Sequence, residues 1–110
     1  MKLPNGAQAD LGTKLADYSL NALHRDGQHK ARVFGSVLGI TLVNQAILER
    51  ALRNAATNSD QVEFRGDNGF GRTYVLRFAL TTERGTATVL SAWIVLNNED
   101  FPRLTTCFIV

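Results

Sequence analysis

The chain has little of what marks the easily read protein classes. Its single cysteine, Cys107, excludes an internal disulfide framework and any cysteine-rich zinc site. Only two prolines interrupt 110 residues, so no proline-rich linker or low-complexity tract divides it. No stretch approaches the ~20 apolar residues of a membrane span, and the N-terminus MKLPNGAQADLG has no apolar run of signal-peptide length. A cytoplasmic protein is expected. The net charge of +2 falls well short of the basic stripe of a dedicated duplex binder, although it tolerates an anionic partner. What remains is 45% apolar content over a length near the usual domain size, which predicts one domain, 1–110.

Hydrophobic spacing changes character midway. Thr13 is placed to cap a short helix through Lys14, Leu15, Ala16 and Tyr18 that ends near Asn21. Ala31, Phe34, Val37 and Leu38 recur every three or four residues, predicting a second helix that Gly39 stops. Thr41 can cap a third, with Ile47, Leu48, Ala51, Leu52 and Ala55 inward and Gln45, Glu49, Arg50 and Arg53 facing water. Beyond Thr57-Asn58-Ser59-Asp60, β-branched and aromatic residues dominate. Short strand character runs over 61–65, followed by an Asp67-Asn68-Gly69 turn. Residues 73–81 then alternate, with Tyr74, Leu76, Phe78 and Leu80 on one face and Arg77 on the other. Residues 86–96 are apolar on both faces and so central in a sheet, and 104–110 close the chain. The prediction is an α+β fold: two to three N-terminal helices, about 10–57, packed on a three- to four-stranded antiparallel meander, about 61–110. The length of the turn at Glu83-Arg84-Gly85 leaves the register of the long strand open.

Chemistry concentrates in His24–Phe34, HRDGQHKARVF. His24 and His29 are the only side chains whose ordinary titration lies near neutrality, which makes them the acid and base candidates. Lys30, Arg32, Arg77 and Arg103 can hold phosphate oxygens, and Ser91, Thr105 and Tyr74 can supply neutral donors. His29 and Lys30 fall in the first turn of the second helix, where free amides favour an anion. The plainer readings stand beside these: Lys30 and Arg32 as a solvated helix face, Trp93 as core, Ser91 and Thr105 as small strand residues. Cys107 in an apolar strand reads as a buried thiol, with a Cys107–histidine nucleophilic pair as the rival. Asp67–Gly71 lacks the glycine fingerprint of a nucleotide loop, and two histidines five apart do not have zinc-helix spacing. Neither a cofactor nor a metal is expected.

The pattern Tyr18-x-Leu20-Asn21, His24, Gly27, His29-Lys30-Ala31-Arg32-Val33-Phe34 and Leu38-Gly39, then Tyr74, Ser91-Ala92-Trp93-Ile94-Val95 and Pro102-Arg103-Leu104-Thr105, resembles a family of small uncharacterised bacterial domains. Members occur as short free-standing proteins and at the ends of long polymorphic-toxin proteins, so the resemblance implies a toxin-type or conflict-system role. Helices followed by a sheet is also similar to the metal-independent ribonuclease toxins grouped with barnase, colicin nucleases and RelE-like proteins. Two functions follow. One is a metal-independent ribonuclease using His24 and His29, with RNA as partner. The other is a non-catalytic module whose basic face docks a cognate acidic protein.

Overall fold

The second half of the chain folds as its alternation dictates. In the computed structural model, which describes residues 1–110, four antiparallel strands follow one another in sheet order: β1 Val62–Asp67, β2 Gly71–Thr82, β3 Gly85–Leu96 and β4 Arg103–Ile109. A two-residue turn, Glu83-Arg84, joins β2 to β3, because Thr82 pairs with Gly85. That turn length fixes the register the sequence leaves open: Tyr74 opposes Trp93, Leu76 opposes Ser91 and Arg77 opposes Leu90. One face therefore carries Tyr74, Leu76, Leu80, Val89, Trp93 and Val95, all buried. On β4, Leu104 and Cys107 join that face, whereas Thr106 and Phe108 lie on the other, opposite Ala92 and Leu90. Thr105 is the extra residue of a bulge, since Ala92 pairs with Thr106 but Trp93 pairs with Leu104.

Three helical segments cover the buried face. The longest, α2 Ala46–Asn58, buries Leu48, Leu52, Ala55 and Ala56. Each fully buried leucine contributes roughly 1.5–3 kcal/mol. Thr41 caps its approach as expected. The Thr41 Oγ1 accepts from the Val43 amide at 3.3 Å, and Asn44 Oδ1 accepts from the Thr41 amide at 2.8 Å. Between cap and helix lies one tight turn, Leu42–Asn44. Ile47, assigned to the apolar stripe from sequence, is 37% exposed, and the buried side of α2 is carried by Leu48, Leu52, Ala55 and Ala56. Helix α1, Gln28–Val33, runs on into a wide π-helical turn, Phe34–Leu38, which seats Phe34 and Leu38 in the core. Gly39 ends it with φ 67°, a left-handed conformation that a side chain would strain.

The first helix is shorter than the spacing suggests. Only Leu15–Ser19 forms, as a single π-helical turn, and no side chain caps it, Thr13 included. Its job is positional: Leu15, Ser19 and Leu20 point inward, and Tyr18 stands at the rim. The segment before it is tied down by distant partners. Asp10 bridges Arg103 in parallel, its amide donating to the Pro102 carbonyl at 2.8 Å. Arg53 Nη1 donates to the Ala9 carbonyl at 3.1 Å. No helix is long and apolar enough to cross a membrane.

Candidate functional site

The tip of α1 is built against the Leu15–Ser19 turn by one close backbone approach. A Cβ on Gly27 would sit 2.0 Å from the Tyr18 carbonyl oxygen, so only glycine lets the two segments meet. With them in contact, Lys30 reaches back along α1. Its Nζ donates to the Tyr18 hydroxyl at 2.5 Å, lies 4.5 Å from the Tyr18 ring centroid and 5.7 Å from that of Phe108. The His24 ring meets Tyr18 edge-on, with centroids 5.0 Å apart and planes at 89°. His24 Nδ1 accepts the amide protons of Asp26 and Gly27, both at 3.0 Å. An acceptor at Nδ1 places the neutral ring's proton on Nε2, leaving that nitrogen as a donor.

Beside this cluster is an open groove of about 370 Å³ lined by His29, Lys30, Val33, Phe108 and Ile109. His29 and Arg32 are exposed on α1, and neither Lys30 nor Arg32 is among the ion-paired cations. The groove thus combines an imidazole, one cation outside any ion pair and an aromatic face, with Arg32 exposed on the same helix. The amides just ahead of α1 do not add to it, because His24 occupies those of Asp26 and Gly27 through its ring and that of Gln28 through its carbonyl, 2.9 Å away. Three amides at this helix end are therefore spent on a local cap.

Several residues named from sequence lie elsewhere. Ser91 is fully buried: its Oγ donates to the Leu76 carbonyl at 3.1 Å and accepts from Trp93 Nε1 at 2.9 Å, so it cannot meet a substrate. Trp93 is core, 1% exposed. Tyr74 is also core, packed against Phe64 with ring centroids 5.4 Å apart. Arg103 is a clamp. It holds Glu99 through two bonds, at 2.7 and 2.6 Å, and Asp10 through a third at 2.9 Å. This guanidinium keeps the Glu99 carboxyl below the usual carboxylate range, and the same contacts raise Arg103. With two carboxylates already on it, Arg103 is no free phosphate ligand. Thr105 is exposed, but its Oγ1 donates to the Ala92 carbonyl at 3.0 Å across the bulge. Arg77 stands on the sheet face turned away from the helices, 3.8 Å from Glu63, and does not reach the groove.

Cys107 is buried with the Ser19 hydroxyl as its partner at 3.6 Å, not a histidine. Burial pushes its thiol up to about 11, against the opposing pull of Ser19 and the Lys30 charge. A thiol that resists ionisation is a poor nucleophile, which removes the Cys107–histidine pair. No group of three or more His, Cys, Asp or Glu side chains is gathered to hold a metal ion. The residues that sequence reading missed are Tyr18 and Phe108. Phe108 was legible in principle, because strand alternation puts it opposite in face to Cys107, but Tyr18 meets Lys30 only through the fold.

The family that matches the chain is DUF6883, a domain of unknown function, over residues 2–110. No curated protein matches. Among solved structures, a chain of a contact-dependent growth inhibition toxin–immunity protein complex from Klebsiella pneumoniae 342 superposes with a TM-score of 0.71. The alignment covers 93% of this chain and 98% of that one at 15% identity, a likeness of fold.

Proposed function

The chain belongs to the DUF6883 family, and from that footing we propose that it is a toxin-type domain that binds RNA and cleaves it with its own side chains as acid and base. The observation that carries this reading is the open groove in which His29, Lys30 and Phe108 stand together beside Tyr18 and His24. In such a reaction a 2′-hydroxyl loses its proton to a base and attacks the adjacent phosphorus. The 5′ oxygen leaves with a proton from an acid, and a 2′,3′-cyclic phosphate remains. His29, exposed and unencumbered, is the base. The Lys30 ammonium gives its proton to the leaving oxygen, and His24, whose Nδ1 is held as an acceptor by two amides, offers only its Nε2–H as a hydrogen-bond donor to the phosphate. Arg32 binds the non-bridging oxygens, where charge builds up. The fold shared with a chain of a toxin–immunity complex supports a toxin-related setting.

A second reading draws on the same likeness, because that complex joins a toxin to its immunity protein and shared fold suits either partner. In it, the unpaired cations of α1 dock an acidic protein and nothing is cleaved. Incubating purified protein with total cellular RNA in EDTA separates the two. Cleavage by wild type, lost in folded His29→Ala and reduced in Lys30→Ala, is the expected result. Intact RNA at high protein concentration would exclude the nuclease reading in favour of the docking one.

A further inference from the structure

We propose that the sheet face turned away from the helices carries the RNA strand to the groove, so that the substrate is single-stranded. This rests on the RNA reading above. The register sets out the face in rows. Arg77, Leu90 and Phe108 lie side by side across β2, β3 and β4, and Glu63, Val75, Ala92 and Thr106 form the next row. With strands about 4.8 Å apart, the Arg77 and Phe108 backbones are about 10 Å from each other. Leu90 and Ile94 on this face are each only 9% exposed, yet neither belongs to the core cluster that the helices share with the sheet. The partly exposed apolar surface beside them comes from Val75, Ala92 and Phe108, and the core cluster that the helices share with the sheet lies on the opposite face.

Its charge marks the occupant. Lys30 stands over Phe108 at one end of the first row and Arg77 at the other. Glu63 is the one acidic side chain on these rows. It is shared between Arg77 and Arg65, each 3.8 Å away, so the trio keeps one net positive charge. Cations at both ends of an apolar strip suit a backbone of phosphates whose bases lie on the strip, with Phe108 offering a ring to stack on. Only an unstacked base can lie there. A duplex buries its base faces within its own stack and presents only its backbone and groove edges. The Phe108 ring also lines the groove, so the strip and the proposed cleavage site are continuous.

The test is fluorescence anisotropy with a labelled 2′-O-methyl oligonucleotide of about 12 nucleotides, which cannot undergo 2′-hydroxyl attack, as a single strand and annealed to its complement. The single strand is expected to bind at least about tenfold more tightly than the duplex. Arg77→Ala should weaken it about fivefold and lower the slope of log K against log salt by about 0.7, the value of one phosphate contact on a single strand. Phe108→Leu, which keeps apolar bulk at the strand end, should weaken it about tenfold through lost stacking. Circular dichroism melting establishes that each variant is folded. If single strand and duplex bind alike, or if Lys30→Ala abolishes binding while Arg77→Ala and Phe108→Leu leave it intact, the sheet-face track is wrong and the groove reading stands. If no oligonucleotide binds and no RNA is cut, both fall. If a polyglutamate peptide binds as tightly with the same dependence on Arg77 and Phe108, the face is an acidic-protein dock and the proposal is overturned.

Discussion

Replacing Ser91 with alanine discriminates a structural serine from a ligand-binding one, and the structure gives the size of the effect. The Trp93 indole N–H is buried and its only acceptor is Ser91 Oγ, 2.9 Å away. Ser91→Ala leaves that N–H without a partner in a region where water cannot replace it. An unmet buried donor costs about 1–3 kcal/mol, and the small void left by the hydroxyl adds little. For a two-state domain of this size, with a urea dependence of roughly 1–3 kcal/mol/M, the midpoint should fall by about 1 M. Trp93 is the only tryptophan, so its fluorescence reports unfolding directly. The pairing can be isolated with a second substitution: in a Trp93→Phe background no N–H remains to be orphaned, and Ser91→Ala should then cost clearly less. An unchanged midpoint would refute the reasoning. An unchanged midpoint together with lost RNA binding would restore Ser91 to the ligand role that its residue type suggests.

Gly27→Ala forces a methyl to within 2.0 Å of the Tyr18 carbonyl oxygen, so α1 must move away from the Leu15–Ser19 turn. A lower melting temperature, by the equivalent of about 1–3 kcal/mol, and loss of any groove activity are expected together. The Thr106 hydroxyl is buried without a hydrogen-bond partner, so Thr106→Val should stabilise the protein by about 1 kcal/mol in urea unfolding. Cys107 gives a pH dependence whose sign is fixed by burial. Its thiol is raised from an ordinary 9.0 to about 11 in the folded protein, so the folded state holds the proton more tightly than the unfolded one. That contribution is complete below pH 9 and is lost as pH rises through 11, about 2–3 kcal/mol at most. Urea midpoints between pH 8 and 11 should decline less steeply in Cys107→Ala than in wild type. A thiol reagent at pH 8 should label Cys107 in urea within minutes and leave the folded protein unlabelled over the same time.

Much of the fold was written in local patterns. Alternation in β2 put Arg77 opposite in face to Tyr74 and Leu76, and the two-sided apolar run of β3 made it an interior strand, because side-chain direction in a strand depends only on position parity. Thr41 and Gly39 marked helix ends through conformations set by their own side chains, or by the lack of one. The Leu15–Ser19 turn fell short of the helix its spacing suggested, and its Ser19 is buried against Cys107, 88 residues away, a contact that local spacing does not encode.

The candidate site was legible as residue types and not as an arrangement. The crowding of His24, His29, Lys30 and Arg32 is visible in the chain. That His24 spends Nδ1 on two amides, that Lys30 meets Tyr18 and Phe108, and that Arg103 is held by Asp10 from 93 residues away depend on which segments pack together. Sequence by itself determined the element types, the strand faces and the basic character of α1, because these follow from short-range periodicity and from each residue's own chemistry. The tertiary structure alone decided which cations are free and which donors are spent, because an ion pair or hydrogen bond between distant segments forms only where burial of the apolar faces has brought them within about 3 Å.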